Sequence, residues 1–437
     1  MIKFIHTADL HLGKVFHDQN LGEDQAAMLD DLARLLEDES CAALVIAGDV
    51  YDRSIPSPEA VELFGSFLGK IKSRRPSPEV FIIPGNHDSA SRLGFGRELF
   101  ARLGIRFGVS AGDCDKPVIL ERDGESCAFF LLPFLNPGAL EAPDSDGEGM
   151  IPLRSQAALA EEAGRRMEKA RRELADRGVS RSVLAAHLFA SGGMEAGSER
   201  VFIGNAEHVS LSPFRGFDYI ALGHLHRFQR AGENAWYPGS PLVYSFGEAL
   251  PQGAGAVKER RAEGAPSKFF LSVELGEGGP QVEKIPVKPR RKVTSLSGPF
   301  ARFSGDISSD SELLAAAGDY LEIRLTDRGI TENARDILRK RFPLLLSLRQ
   351  DEALAGLSPA LAGRARVSGG ERGDSERRDV SADFRDFLSE LYGGTDKPDI
   401  RAEIELFNTL LAETESAEEF PAEASPMEEF PAKEGSS

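Results

Sequence analysis

The sequence predicts an α/β fold in which βαβ units build a two-sheet sandwich, followed by a small αβ module and C-terminal helices. Near the N-terminus, short apolar runs alternate with segments of helical periodicity, which is typical of βαβ units and a largely parallel sheet. At 437 residues the chain exceeds what one hydrophobic core usually supports, so two or three folding units are expected. Hydrophobic residues make up 41% and charged residues 28%, which argues against a membrane protein or a fully disordered one.

The first half of the chain contains the predicted sandwich. Strands are predicted for three apolar runs that precede or follow helical patterns, namely Ile2–Ile5, Ala43–Ala47 and Val80–Ile83. A hairpin is predicted for Val118–Glu121 and Ala128–Leu132, because Asp123-Gly124 lies between them. Residues 156–177 are rich in Ala, Glu and Arg and predict one long exposed helix. Two further apolar runs, Val183–Ala186 and Tyr219–Leu222, each lead into a histidine.

The second half predicts smaller units. Segments near 236–238 and 269–273 indicate an antiparallel second sheet that completes a first domain at 1–285. The Pro-, Lys- and Arg-rich residues around 286–300 indicate a linker. An αβ module is predicted over 300–350, a linker over 363–382, amphipathic helices over 383–415, and an acidic disordered tail over 416–437. Because those helices have little core of their own to cover, they are expected to dock on a partner.

Charge and cysteine content restrict the function. The net charge is −18, and residues 401–437 hold ten Glu against one Arg and one Lys, so nearly half of the excess lies in the tail. The acidic net charge does not exclude a nucleic-acid substrate, because the chain also contains a basic run at Lys284, Lys288, Arg290, Arg291 and Lys292. The three cysteines have no Cys-x-x-Cys spacing, so neither a disulfide framework nor a thiolate zinc site is expected. The chain begins directly with a strand pattern and contains no apolar run of ~20 residues, which predicts a cytoplasmic protein.

Polar residues that can bind metal ions follow five of the predicted strands. Glycine precedes several of them and is expected to let the backbone turn sharply there. Since ligands bind beyond the carboxyl ends of parallel strands, the five loops should converge on one crevice. Imidazole, carboxylate and amide ligands without thiolate suit manganese, iron or zinc, and seven ligands suit two ions that share a carboxylate, for which Asp49 is the candidate. The predicted ligands are Asp9, His11, Asp49, Asn86, His187, His224 and His226.

Such a site is expected to hydrolyse phosphoesters. His87 follows a predicted ligand but belongs to no ligand pair, so it is the candidate acid or charge stabiliser, with Asp52 or Asp88 orienting it. Each pattern alone has a simpler explanation: Asp-x-His is more often a surface pair, and Gly-Asp-x-x-Asp can be a turn. The metal site is favoured because five of the eight histidines fall in these loops, each at a strand end, whereas His6, His17 and His208 are interpreted as structural.

These motifs, in this order, resemble the calcineurin-like metallophosphoesterase superfamily over residues 1–250. More specifically, the chain is similar to the SbcD family of nuclease subunits. The residues that carry the closer resemblance are His6–Gly13, Asn86–Ser89, Val201–Gly204, Tyr219–His226 and Tyr237–Pro241.

The resemblance implies one ion bound by Asp9, His11, Asp49 and His226, and a second bound by Asp49, Asn86, His187 and His224. It implies that both ions are manganese and that His87, supported by Asp52, stabilises the transition state. It further implies a nuclease that cuts double-stranded DNA from its ends and opens single strands and hairpins, as a homodimer within a heterotetramer with SbcC, a coiled-coil ATPase. The module at 300–350 corresponds to a capping domain, and the helices at 383–415 to an ATPase-binding region.

Two other functions remain open at the level of sequence. Another enzyme of the same superfamily, acting on nucleotides or phosphoproteins, would share the fold and the metal pair. A non-catalytic adaptor of an ATPase would use the C-terminal helices and keep only a vestigial metal site. Every expected ligand position is filled, which argues against the adaptor.

Overall fold

The computed structural model describes residues 1–73, 77–143, 149–190, 208–249, 268–327 and 333–350, with Ile404 and Phe407. Several predicted features therefore lie outside the described residues: the Val201–Gly204 motif, the linker at 363–382, the tail at 416–437 and most of the helices at 383–415. Within the last of these, Ile404 and Phe407 are helical and half-buried. Among the described helices, none combines the length and the apolar character that a membrane span requires.

Strands are numbered in chain order. They are β1 Ile2–Thr7, β2 Val15–Phe16, β3 Gln19–Asn20, β4 Cys41–Ala47, β5 Glu79–Ile83, β6 Ile105–Phe107, β7 Val118–Arg122, β8 Glu125–Leu132, β9 Glu141–Pro143, β10 Met150–Pro152, β11 Arg181–His187, β12 Tyr219–Gly223, β13 Gln229–Arg230, β14 Ala235–Tyr237, β15 Phe269–Gly276, β16 Gly279–Pro286, β17 Val293–Gly298, β18 Tyr320–Leu325 and β19 Leu345–Gln350.

Helices are numbered in the same way, and two short 3-10 helices lie at Ala111–Asp113 and Ser212–Phe214. The α-helices are α1 Gly22–Leu35, α2 Pro58–Lys72, α3 Ala90–Leu93, α4 Arg97–Ala101, α5 Gln156–Ala175, α6 Phe246–Ala249, α7 Phe300–Ser304, α8 Ser311–Ala316 and α9 Ala334–Arg339. Helix α2 begins where Ser57 accepts a hydrogen bond from the amide of Ala60 and Pro58 takes the first helical position.

The first sheet has the strand order β16-β15-β1-β4-β5-β6. Strands β1, β4, β5 and β6 are parallel, as the alternation of strands and helices predicts. The hairpin of β15 and β16 joins this sheet, because β15 pairs antiparallel with β1. The prediction that residues 269–273 belong to the second sheet is therefore wrong. A partner more than 260 residues away in sequence leaves no local signal.

The second sheet has the order β13-β14-β12-β11-β8-β7. The predicted hairpin of β7 and β8 is confirmed. Strands β8, β11, β12 and β14 run parallel, whereas the edge strands β7 and β13 pair antiparallel with their neighbours, so the predicted antiparallel second sheet is wrong for the central strands. Helix α5 covers one face of this sheet, and residues such as Leu159 and Met167 are buried there, so this helix is amphipathic rather than wholly exposed.

The two sheets pack face to face through large apolar side chains. Phe129 of β8 stacks on Phe81 of β5 with ring centroids 4.3 Å apart and meets the edge of Phe4 of β1 at 5.6 Å. Each of these rings is fully buried, and such burial contributes about 1.5–3 kcal/mol per side chain. Helices α1 and α2 cover the outer face of the first sheet. The sandwich therefore brings the carboxyl ends of strands from both sheets to one edge.

A third sheet of parallel strands, β17-β18-β19, has its own core around Phe303, Leu338 and Phe342. Strand β18, helix α9 and strand β19 form the βαβ arrangement predicted for this region. The prediction of a linker around 286–300 is wrong for strand β17, because this strand pairs along its whole length with β18. Tyr320 of β18 donates a hydrogen bond of 2.7 Å to Asp24 of α1, which ties this sheet to the first helix.

Candidate metal centre

The loops that follow β1, β4, β5, β11 and β12 meet at the edge shared by the first two sheets. Because the strands are parallel within each sheet, their carboxyl ends point to the same side. Six of the seven predicted ligands are buried, and Asn86 is half-buried. The structure brings all seven together at this edge: Asp9, His11, Asp49, Asn86, His187, His224 and His226.

Two glycines allow the sheet edges to approach each other. A Cβ atom on Gly223 would lie 1.8 Å from the carbonyl oxygen of Ala47, and one on Gly48 would lie 2.1 Å from Nδ1 of His187. Gly48 also has a φ of +93°, which fits the predicted sharp turn. At Gly223 the need for glycine comes from the contact between the sheets. Side chains at these two positions would separate the loops that carry the ligands.

Four of the ligands themselves have left-handed backbone conformations. Asp9, His11, Asp49 and His224 have φ values of 55°, 45°, 48° and 113°. Such conformations cost on the order of 1–3 kcal/mol each for residues other than glycine and persist where the surrounding structure imposes them. Here the amides of Asp9 and His11 donate to the carbonyls of Gly48 and Asp49, and the amide of His224 donates to the carboxylate of Asp9. The loops are therefore held in place by one another.

The first ligand group consists of Asp9, His11 and His226. One potential ligand atom from each lies within 4.8 Å of the others. The Nε2 atoms of His11 and His226 are 3.1 Å apart, and the two rings meet edge to face. Because the side chains point at a common position, this group can hold one ion.

The second ligand group surrounds the side-chain oxygen of Asn86. This oxygen is 3.0 Å from Nε2 of His187 and 3.1 Å from Nδ1 of His224, and these two nitrogens are 3.3 Å apart. Nδ1 of His187 is 2.9 Å from the carbonyl oxygen of Ala47 and can donate to it, which leaves the Nε2 lone pair directed at the group. His187 and His224 therefore present different ring nitrogens to the same point.

Asp49 lies between the two groups. Its Oδ2 atom is 3.7 Å from Nε2 of His11 and 3.5 Å from Nε2 of His187. Its Oδ1 atom accepts a hydrogen bond of 2.9 Å from the amide of His87. One carboxylate oxygen thus faces both groups while the other is held by the backbone, which is the arrangement a bridging ligand requires.

The spacing of these atoms fits two divalent cations. An ion with bonds of about 2.1 Å holds adjacent ligands roughly 3 Å apart when they subtend about 90°. The separations of 3.0–3.3 Å in the second group and 3.1 Å in the first have this size. The donors are nitrogen and oxygen atoms only, which suits manganese, iron or zinc.

Burial sets the protonation of the site. Loss of hydration lowers the pKa of His11 to about 4 and that of His224 to about 3, and it also lowers the pKa of His187. Burial raises the pKa of Asp49, but the neighbouring histidines and the His87 amide outweigh it and hold the pKa below its usual range. The site therefore combines neutral imidazoles with ionised carboxylates, so its net charge is negative and a bound cation would compensate it.

His87 lies beside the first ligand group. Its ring centroid is 4.8 Å from that of His11, and its Nδ1 atom is 2.9 Å from the carbonyl oxygen of Asp52, to which it can donate. Asp52 therefore orients His87 through its backbone. The Asp52 carboxylate instead contacts Lys14 at 2.7 Å and Nδ1 of His11 at 3.4 Å. Burial opposes ionisation of Asp52, but His11 and Lys14 lower its pKa to about 2.

The described hydrogen bonds of Asp88 do not go to His87. Its carboxylate accepts from the amides of Val50, Tyr51 and Gly85 at 2.9–3.0 Å. These contacts join the loop after β4 to the loop after β5. Asp88 therefore holds these two loops together, and its predicted role in orienting His87 stays a prediction.

Sequence reasoning did not assign a role to Glu248, Lys268 or Tyr244. Nδ1 of His226 lies 3.3 Å from the Glu248 carboxylate, which in turn contacts Lys268. Burial raises the pKa of Glu248, yet Lys268 and His226 hold it well below its usual range. The Tyr244 ring lies 5.5 Å from that of His11. A single charged or aromatic residue outside the motifs forms no local sequence pattern that could reveal its role. The available signal is a Glu or Lys within an apolar segment, because such residues are rarely buried unless they are paired.

The family described as "Calcineurin-like phosphoesterase" matches residues 2–228, which include all seven candidate ligands and His87.

Three of the solved structures that the chain matches come from bacteria. TT1561 of Thermus thermophilus shares 14% identity, with 66% of this chain and 99% of that chain covered and a TM-score of 0.37. The calcineurin-like phosphoesterase YfkN from Bacillus subtilis shares 14%, with 65% and 90% covered and a TM-score of 0.32. Phosphopantetheinyl hydrolase (PptH) from Mycobacterium tuberculosis shares 16%, with 55% and 90% covered and a TM-score of 0.29.

Proposed function

The chain belongs to the calcineurin-like phosphoesterase family, and we propose that it is a two-metal DNA nuclease. In this proposal it works as an SbcD-like subunit with an SbcC-like ATPase in DNA end processing, repair and recombination. The observation that carries the hydrolytic part of this proposal is the position of Asp49 between two ligand groups. The choice of DNA as substrate is supported by the motifs that resemble the SbcD family.

Two sets of residues, with Asp49 common to both, would hold the two ions. Asp9, His11 and His226 would bind one, Asn86, His187 and His224 the other, and Asp49 both. Two divalent cations, for which Mn²⁺ is our choice, supply charge stabilisation for a phosphoryl group and make hydroxide available near neutral pH. The protein contributes the fixed geometry, since the left-handed backbone at four ligands leaves little freedom to relax.

In this proposal His87 acts on the leaving oxygen. The hydrogen bond from its Nδ1 to the Asp52 carbonyl fixes the ring, so Nε2 is the atom that can carry and donate a second proton. When hydroxide attacks phosphorus, a new P–O bond forms and the bond to the sugar oxygen breaks. That oxygen leaves as an alkoxide, and a proton from Nε2 of His87 neutralises it.

The basic run at 284–292 supports DNA binding only in part. Arg290 pairs with Glu23, and Arg291 lies 3.2 Å from Asp24, so these two charges are already compensated within the protein. Lys284 lies over the rings of Phe228 and Phe269, at 4.9 and 5.1 Å. An ATPase partner that contributes phosphate contacts would therefore strengthen the binding of duplex ends.

The test compares substrates on one metal-free preparation of the full chain. Chelator-treated protein receives Mn²⁺, Mg²⁺ or Zn²⁺ and is assayed on bis(p-nitrophenyl) phosphate, end-labelled duplex DNA, hairpin DNA and 2′,3′-cyclic nucleotides. We expect Mn²⁺-dependent cleavage of the small diester and of DNA. Hydrolysis of cyclic nucleotides with intact DNA would instead support the alternative enzyme of the same family, and no hydrolysis of any diester would support a non-catalytic adaptor.

The His87→Asn variant is the matched control for this assay. It should bind two Mn²⁺ ions and lose about 10²- to 10⁴-fold in turnover, because general acid catalysis contributes that much. Metal content measured beside the rate decides the role. Loss of an ion in this variant would make His87 a ligand rather than the proton donor.

The proposed ATPase partner is tested by two truncations. Deletion of residues 383–437 should leave hydrolysis of bis(p-nitrophenyl) phosphate unchanged and abolish both association with an SbcC-like ATPase and ATP-stimulated cleavage of duplex ends. Deletion of residues 416–437 alone should spare the association, because that segment is polar and contains Pro421, Pro426 and Pro431. Undiminished binding by the longer deletion would place the docking site elsewhere.

We also propose the homodimer that the resemblance implies, and exposed apolar side chains that follow the His87 loop in sequence support it. Phe95, Leu99 and Leu103 are 82%, 68% and 59% exposed. A two-fold axis brings identical surfaces together, so apolar side chains of this kind can be covered by the same residues of a second copy. Leu99→Asp should convert a dimer into a monomer in light scattering, whereas Leu314→Asp, on helix α8 and 51% exposed, should not. A dimer that survives Leu99→Asp would exclude this surface.

A further inference from the structure

Behind the metal centre, a buried carboxylate and a buried ammonium group lie side by side. The Glu248 side chain is 1% exposed and that of Lys268 9% exposed, and Nζ of Lys268 is 2.5 Å from Oε2 of Glu248. Burying two charges is unfavourable unless they pair and satisfy their remaining hydrogen bonds. This pair is not explained by the apolar core, so its contacts with the site are informative.

Both charged groups contact His226. The second carboxylate oxygen of Glu248 is 3.3 Å from Nδ1 of His226. Nζ of Lys268 donates to the carbonyl oxygen of His226 at 2.9 Å and to Oγ of Ser240 at 2.7 Å. The amide of Ser240 donates to the same His226 carbonyl at 3.2 Å. The ion pair therefore holds His226 by its ring and by its backbone at once.

This contact determines which ring nitrogen faces the candidate ion. A carboxylate beside Nδ1 keeps the proton on that atom, so the lone pair of Nε2 is directed toward His11 and the first ligand group. A histidine ligand that is oriented by a carboxylate binds metal more strongly, because its ring is fixed and its basicity is raised.

We propose that Glu248 and Lys268 are positioning residues that hold His226 in the ligand geometry of the first ion and thereby set the affinity of that ion. The proposal rests on the two-metal centre under Proposed function. Lys268 acts through Glu248 and through the His226 carbonyl, and neither residue touches the substrate. The second ion is supported differently, since the hydrogen-bond partner of Nδ1 in His187 is the backbone carbonyl of Ala47.

The experiment measures Mn²⁺ binding to chelator-treated protein by calorimetry and by electron paramagnetic resonance. Glu248→Gln and Lys268→Met should each weaken one of the two ions by about 10- to 100-fold and leave the other unchanged. Lys268→Arg should restore most of the affinity, because the guanidinium keeps the charge beside Glu248. In Zn²⁺-loaded protein, the slowly exchanging Nδ1–H signal of His226 should be lost from the nitrogen-15 spectrum of Glu248→Gln.

Glu274→Gln is the matched control. Glu274 is also a glutamate paired with a lysine, at 3.6 Å from Lys3, but it is 37% exposed and lies on β15 away from the ligands. Its substitution should change neither ion. If the single variants fail to fold, the double variant Glu248→Gln/Lys268→Met removes both buried charges and should fold while still losing affinity for one ion.

The outcomes separate this inference from the proposed function. Unchanged Mn²⁺ affinity in Glu248→Gln, or in the double variant, would overturn the positioning role while the wild type still binds two ions. Equal weakening of both ions would also overturn it, because His226 is the one predicted ligand that the described contacts of this pair reach. A wild type that binds fewer than two ions would overturn the two-metal centre itself.

Discussion

The two ligand groups of the candidate metal centre are supported by different kinds of contact. In the first group, charged side chains hold the histidines: Asp52 lies 3.4 Å from His11 and Glu248 lies 3.3 Å from His226. In the second group, His187 is held by a backbone carbonyl, and His224 packs between the rings of Phe134 and Phe189 at 6.4 and 5.9 Å. Two sites that would bind the same kind of ion are thus built from charged side chains in one case and from backbone and aromatic rings in the other.

Because of this difference, we expect substitutions to change the affinities of the two ions to different extents. A side-chain contact can be removed by one substitution, whereas a backbone carbonyl is present whatever residue occupies the position. The affinity of the first ion should therefore respond to changes around it, and that of the second should respond mainly to changes in the fold.

Gly223→Ala should abolish the distinction by disrupting both groups. The added Cβ would overlap the Ala47 carbonyl oxygen at 1.8 Å, and both are backbone-linked atoms that cannot turn away. We expect loss of both ions and a lower melting temperature, since overpacking costs about 1–3 kcal/mol or more. Gly69→Ala is the control, because nothing lies within 4 Å of a Cβ there. Wild-type Mn²⁺ binding by Gly223→Ala would show that the sheets need not approach so closely.

Asp49→Ala should weaken both ions without unfolding the protein. The removed oxygen faces both groups, at 3.5 and 3.7 Å from their histidines, so both ions lose a ligand and charge compensation. We expect more than about 100-fold loss in affinity for each, beyond the effect of removing a supporting residue. Calorimetric titration with Mn²⁺ measures this. One ion that binds with unchanged affinity would mean that Asp49 is not the bridge.

Asp52→Asn should affect the first ion alone, by about tenfold. Its carboxylate contacts His11 and Lys14 and no ligand of the second group among the described contacts. The pH dependence has a definite sign: the folded pKa of about 2 lies below the ordinary 3.8, so the stability that Asp52 contributes is present above 3.8 and lost as pH falls toward 2. Chemical denaturation of metal-free wild type and variant should converge over that range. Equal stability differences well above and well below this range would contradict the prediction.

Phe134→Leu should have the smallest effect, confined to the second ion. The Phe134 ring lies 6.2 Å from His187 and 6.4 Å from His224 and packs against them without a hydrogen bond. Leucine keeps an apolar contact there, so we expect a loss in affinity below about tenfold, less than that of a hydrogen-bonded supporting residue. A larger loss than in Asp52→Asn would reverse the comparison and give aromatic packing the greater role.

Much of the fold was predictable because its signals are local. Strands β1, β4, β5, β11 and β12 are apolar runs of strand length, and the hairpin of β7 and β8 has Asp-Gly at its turn. The errors concern pairing. The sequence predicts the wrong sheet for β15 and a linker at β17, because each strand is stabilised by pairing with a strand from another part of the chain. The periodicity of hydrophobic residues identifies a strand but does not indicate which sheet, or which edge of it, the strand joins.

For the candidate site, the sequence by itself determined the ligand types, their loops and the likeness to a phosphoesterase family, because a histidine or aspartate after an apolar run is visible without coordinates. Only the tertiary structure decided which atoms face each other. It placed Asp49 between the two groups, gave Asp88 to the backbone, and set Glu248 and Lys268 behind His226. The physical reason is that these contacts depend on two sheets meeting at Gly48 and Gly223, and contact between distant segments is a property of packing rather than of local pattern.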